Sequence, residues 1–273
     1  FFFHAPASAR QRQSHRKEGA AAGAAGAARP AAGSSEEAFV LALRRNRLVD
    51  EGMAGLPAHV SDGIAKLSKS LCAAVERLAS DLYESECHFL YEIVQNAEDA
   101  HARSGSASAS PALSLRLGSS PEWPAYFVSD NNEAGFTEAD VEAICDISAS
   151  SKKRAAGELG GGARGTIGCK GIGFKSVFTV SDAPHVLSGG FTFCFDVSGP
   201  LGRLGFVTPT WLSAGEVRAL PPEVREAHAA GRTVLFLPLR SAALAAAIGR
   251  EMDELERQGR AALLFLRRLQ RIE

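Results

Sequence analysis

Between Phe89 and Asp99 the chain reads Phe-Leu-Tyr-Glu-Ile-Val-Gln-Asn-Ala-Glu-Asp. Turned at about 100° per residue, Phe89, Leu90, Ile93, Val94 and Ala97 make one apolar arc. Glu92, Asn96 and Asp99, spaced i, i+4 and i+7, form a single line that borders this arc and does not oppose it. Such a line meets the edge of a core. Gln95 and Glu98 are expected on the far, solvated side. A carboxylate and an amide one turn apart suit magnesium, a hard cation that keeps several waters and takes few oxygens from protein. A nearby carboxylate can also orient a water for attack on a phosphate. Taken alone, the segment fits a solvated helix face equally well.

A second segment, Gly168-Cys169-Lys170-Gly171-Ile172-Gly173-Phe174-Lys175-Ser176-Val177-Phe178, puts three glycines directly before an apolar helical stretch. Bare backbone N–H groups at a helix start can face phosphate oxygens, and Lys170 and Lys175 add positive charge. The run before it, residues 148–166, is rich in Gly and Lys and poor in large apolar side chains, as a flap hinged on glycine would be. The segment is not a P-loop, because no G-x-x-x-x-G-K-[ST] is present. It is not a Rossmann fingerprint either, because its G-x-x-G-x-G spacing differs and no strand leads into it.

Along the chain, residues 4–35 are mostly Ala, Gly, Ser and Arg with one acidic residue, Glu18, and are expected to be disordered. Helices are expected at 36–48, 62–83, 85–103 and 137–147, the last capped by Thr137 with Asp140 at the capping-box position. Strands are expected at 113–117, 126–129, 185–188, 191–197 and 233–237, with a short helix at 174–180 and a final helix from about 250. The Arg-rich tail, 267–271, is expected to be one face of an amphipathic helix. Helices mixed with hairpin-connected strands point to an α+β fold, a two-layer sandwich of helices over one mixed, mostly antiparallel sheet. The division follows as an opening segment (1–35), an N-terminal helical segment (36–80), a central domain (81–240) and a C-terminal helical segment (241–273), which stops in mid-pattern as a truncated chain would.

A net charge of -1 gives no general attraction to nucleic acid or to an anionic membrane surface. Five scattered cysteines, Cys72, Cys87, Cys145, Cys169 and Cys194, contain no CxxC pair and suggest neither a zinc site nor a disulfide framework. They fit a reducing, intracellular compartment, cytoplasmic or nuclear, although the Arg- and Ser-rich opening also has the composition of an organelle transit peptide. No apolar run approaches the roughly 18 residues of a membrane span.

Three ordered patterns, E-x-x-x-N-x-x-D at 92–99, N-N-E-x-G-F at 131–136 and G-x-x-G-x-G-F at 168–174, resemble the N, G1 and G2 boxes of the GHKL superfamily. That superfamily includes gyrase-type topoisomerases, heat-shock chaperones, histidine kinases and MutL. The wording HFLYEIVQNAEDA, GFTEADVEAICDIS and KGIGFKSVFTVSDAPHVLSGGFTFCFD is most similar to the sacsin and NO VEIN branch, over about residues 81–239. The resemblance implies a Bergerat-fold pocket for ATP and magnesium. In it Glu92 polarises the hydrolytic water, Asn96 coordinates magnesium, and Asp99 supports the adenosine side. The adenine amino group is received by Asn131 in an alignment without gaps from Gly135, or by Asp130 with one residue inserted. Gly168, Gly171, Gly173 and Phe174 line the triphosphate, with Lys170 nearby. Thr233 follows Gly231-Arg232 on the last strand, one place off the family pattern.

The resemblance implies a weak ATPase that acts as a conformational switch in a larger chaperone-like or regulatory protein with protein clients or partner domains. Dimerisation is left open. Two other readings are a module that holds ATP without turnover and a histidine kinase. The kinase should carry a phospho-acceptor histidine on a separate helix, whereas His88 is expected at the boundary of the 89–99 helix.

Overall fold

Seven strands and eight α-helices follow one another in a chain described over residues 33–47, 55–81, 88–103, 110–146, 172–258 and 266–273 of a computed structural model. The opening segment up to residue 32, the flap run 148–166, Gly168, Lys170 and Gly171, and Cys87 and Cys169 lie outside the described residues. The first helices are α1 (Ser35–Asn46), α2 (Ala58–Asp81) and α3 (His88–Arg103), followed by β1 (Ala112–Gly118), β2 (Tyr126–Asn131) and α4 (Glu138–Cys145). Next come a single turn, α5 (Ile172–Lys175), continued by a 3₁₀ turn at Ser176–Thr179, and then β3 (His185–Ser188) and β4 (Phe191–Cys194). The chain goes on through β5 (Thr210–Trp211), α6 (Ala214–Arg218), α7 (Pro222–Ala229), β6 (Thr233–Pro238), α8 (Ala242–Gln258) and β7 (Arg271–Ile272).

Local chemistry accounts for several boundaries. Ser34 caps α1 by accepting the N–H of Glu37, with acidic residues in the first turn and arginines in the last. The expected Thr137–Asp140 capping box is present at the start of α4, and Ser213 with Glu216 forms another at α6. Each such cap stabilises its helix by about 1 kcal/mol. His88 is the first described residue of α3.

The strands form one open sheet in the order β5-β4-β3-β6-β2-β1-β7, antiparallel except where β7 runs parallel to β1. One face carries Leu113, Leu115, Phe127, Val186, Phe193 and Leu237, and the main helices pack there. Phe89 of α3 meets Phe127 edge-to-face at 5.4 Å, both rings buried, and this anchors the helix on the sheet. On the other face Val128, Leu187, Val234 and Phe236 pack against Leu220 and against Val224 of α7. The fold is therefore α+β, helices over a mixed and mostly antiparallel sheet. Ser34–Glu273 makes one compact unit.

Three expectations need correction. The last long helix starts at Ala242, well before residue 250, because the run Ala242–Ala247 shows little polar contrast yet is built from the best helix former. Arg267–Arg271 is not a helix: Arg271 and Ile272 pair with Ala112 and Leu113 of β1. Glu98 does not face solvent. It is 5% exposed, and its carboxylate accepts the backbone N–H groups of Arg267, Arg268 and Leu269. Among the described residues no helix is long and apolar enough to cross a membrane.

Candidate functional site

Because α3 is anchored through its apolar arc, the polar line at the arc's border overhangs a cavity between helix and sheet. From α3, Glu92, Asn96 and Ala100 reach the cavity, a stripe with the four-residue repeat of one helix face. Gly173 and Phe174 enter from α5, so the carboxylate and amide of α3 and the end of the glycine segment share one space. Asn131, Glu133 and Thr233 enter from the sheet end. Ile93, Ala97, Phe136, Ile144, Val186 and Leu235 give apolar walls. The cavity volume is about 80 Å³. This is below the roughly 300–1,000 Å³ of small-molecule pockets.

Strand alternation puts Asn131 and Asp130 on opposite faces of the sheet. Successive side chains of β2 point to opposite faces, so Phe127, Ser129 and Asn131 share the helix-covered face while Val128 and Asp130 share the other. Asn131 pairs in register with Thr233 of β6 and lines the cavity with it. Asp130, 2% exposed, is held on the far face by the guanidinium groups of Arg116 and Arg232. Asp99 is also 2% exposed and is not among the cavity-lining residues.

The sheet end of the cavity is tightly tied. Asn131 Oδ1 accepts the N–H of Glu133 at 3.0 Å, which holds the turn after β2. Ser188 Oγ lies 2.5 Å from Thr233 Oγ1 and accepts the N–H of Phe136 at 2.8 Å. Gly135 has φ +91°, a left-handed conformation that favours glycine, and lies against Gly189 and Ser188. It shapes the turn and is not itself in the wall.

Lys175, next to Phe174, turns away from the cavity. Its Nζ donates to the carbonyls of Ile144 and Phe206 at 2.6 and 2.5 Å and lies 4.7 Å from the centre of the Phe195 ring. Burial pushes this ammonium down to about 7, with the Cys145 thiol acting in the opposite direction. The charge that the glycine segment offered at this position is therefore spent inside the core.

Glu133, Phe136, Ser129 and Ser176 line the cavity without having been singled out from sequence. Glu133 and Phe136 lie inside the N-N-E-x-G-F turn itself, which was the available signal. The donor set at the α3 end, one carboxylate and one amide, fits a magnesium ion that takes its remaining oxygens from water and phosphate. Among the described residues no group of three or more His, Cys, Asp or Glu could hold a metal ion by itself.

The fold and cavity define an α+β sandwich with one polar-ended cleft between its layers. Residues 69–200, which include every lining residue named above except Thr233 and Leu235, match the Sacsin domain family. Over 183 residues, 65% of its length, the chain is 36% identical to Protein NO VEIN of Arabidopsis thaliana. It covers 6% of that protein. Both findings support a sacsin- and NO VEIN-like relationship.

Proposed function

We propose that the cavity binds ATP with magnesium and that the domain is a slow GHKL-type ATPase, a conformational switch within a larger chaperone-like or regulatory protein. The observation that carries this reading is the meeting of Glu92 and Asn96 with Gly173 across one cavity, with Asn131 and Thr233 at its other end. When bound, magnesium supplies charge neutralisation on the phosphates. Asn96 offers it an amide oxygen, and Glu92 orients the attacking water and takes its proton. Asn131 presents both an acceptor and donors to the edge of the base, and the apolar walls exclude water around it. Gly173 and Phe174, with Gly168, Lys170 and Gly171, bind the triphosphate.

Fluorescent-ATP titration and phosphate release on wild type, Asn96→Ala and Glu92→Gln test the reading. Asn96→Ala loses magnesium-dependent nucleotide binding, and Glu92→Gln binds but releases phosphate about 100-fold more slowly. Equal affinity in wild type and Asn96→Ala overturns the assignment. Binding without phosphate release from wild type identifies a passive nucleotide-holding module instead.

A further inference from the structure

Gly173 is the second residue of α5, and its backbone does not require glycine. The positive-φ glycines among the described residues are Gly55, Gly135, Gly189, Gly202 and Gly231. Alanine is the better helix former, so conformation alone would favour it at this position. The Ser176 hydroxyl donates to the Gly173 carbonyl at 2.6 Å, which holds the turn in place.

The space where a Cβ would stand is taken by one side chain. A Cβ built on Gly173 would lie 2.1 Å from Glu92 Oε2, 3.1 Å from its Cδ and 3.9 Å from its Cγ, and these are its three nearest atoms. By contrast, a Cβ on Gly205 would meet the Asp196 backbone at 2.0 Å, where only a shift of the chain could relieve it. At Gly173 the obstructing atoms are the far end of a flexible side chain, so a methyl group there displaces the carboxylate and leaves the backbone in place.

We propose that Gly173 is a positioning residue for Glu92: by lacking a Cβ it leaves the space in which the Glu92 carboxylate rests over the start of α5. The proposal rests on the reading of Glu92 as the group that orients the attacking water. It gives the last glycine of the segment a task separate from contact with phosphate, namely to fix where the reacting carboxylate stands.

The test uses Gly173→Ala, Glu92→Gln and the double variant in the full chain, with Gly199→Ala as control. The control presses on the carboxylate of Asp196 in the same way, at 2.5 Å, outside the cavity wall. In a crystal structure of Gly173→Ala the Glu92 carboxylate is displaced and α5 stays in place. Phosphate release falls about 100-fold, as removal of a positioned base does, while the nucleotide KM changes by less than about threefold. Added to Glu92→Gln, Gly173→Ala causes no further loss, because both act through one group. Gly199→Ala retains wild-type turnover. An unmoved carboxylate, lost nucleotide binding, or effects that multiply in the double variant overturn the proposal. If Glu92→Gln turns over like wild type, or wild type does not turn over at all, the reading of Glu92 fails and the position of its carboxylate in Gly173→Ala alone decides what Gly173 does.

Discussion

Glu98 accepts the backbone N–H of Leu269 at 2.8 Å, a hydrogen bond that spans 171 positions of the chain. The same carboxylate accepts Arg267 N–H at 2.7 Å and Arg268 N–H at 2.9 Å, and the segment then enters β7 beside β1. One side chain of the cavity-lining helix thus holds the strand at the sheet's edge. Glu98→Ala leaves three backbone donors without their acceptor and costs about 1.5–3 kcal/mol, since hydrogen bonds to charged groups are the stronger ones. Urea denaturation reads the loss, and hydrogen exchange of residues 266–273 should accelerate before that of β2 and β6. Unchanged exchange in that segment would refute the account.

Asp130 and Asn131 are neighbours with opposite duties. Asp130→Asn weakens a partly exposed ion-pair cluster with Arg116 and Arg232 and lowers stability by about 1–2 kcal/mol, leaving nucleotide affinity near wild type. Asn131→Ala weakens nucleotide binding about tenfold and costs about 1 kcal/mol of stability through the lost Glu133 N–H bond. Calorimetry and titration on both variants check the pair, and an exchange of the two phenotypes would place the wrong residue in the cavity.

Lys175 should leave its mark on the pH dependence of stability. Its ordinary value of 10.5 is pushed down to about 7, chiefly by burial, with Cys145 and Asp146 raising it and Arg47 lowering it. Between these values the unfolded chain holds a proton that the folded chain lacks, so stability rises with pH. From pH 7 to 8, below the ordinary thiol value of about 8.5, the rise is roughly 1 kcal/mol. Lys175→Met should lack this slope. Equal slopes in urea titrations of the two proteins would contradict the burial of a titrating amine.

His101 acts in the acid range. It is 4% exposed, and neither ring nitrogen has a hydrogen-bond partner. Burial depresses the imidazole below its ordinary 6.5, opposed by the Glu98 carboxylate and reinforced by Arg232. The stability it contributes is present above pH 6.5 and is lost as pH falls through the depressed value. His101→Leu should flatten the thermal-stability profile between pH 7 and 5 without lowering it at pH 7, because an apolar group replaces unpaired buried nitrogens. A wild-type protein equally stable at both pH values would show that the ring does not titrate as a buried group.

Much of this fold was legible because local chemistry and periodicity repeat over short stretches. Thr137 and Asp140 announced α4, His185–Ser188 was readable as a strand from its boundaries, and the apolar arc of α3 located the helix margin where Glu92 and Asn96 now meet Gly173. The polar line was less exact at its end, where Asp99 is buried away from the cavity wall.

What sequence alone determined was the helices from α1 to α4, five of the seven strands, the α+β class and the candidate polar residues, because caps, turns and side-chain periodicity depend on neighbours a few positions apart. Tertiary structure decided the rest. A shift of one residue along β2 carries a side chain to the opposite face of the sheet, so only the placed strand could separate Asn131 from Asp130. Glu98 and β7 became partners only when distant parts of the chain met. Lys175 was turned into the core and Gly173 placed under Glu92 by packing, which no periodicity encodes, since it depends on what stands across the gap.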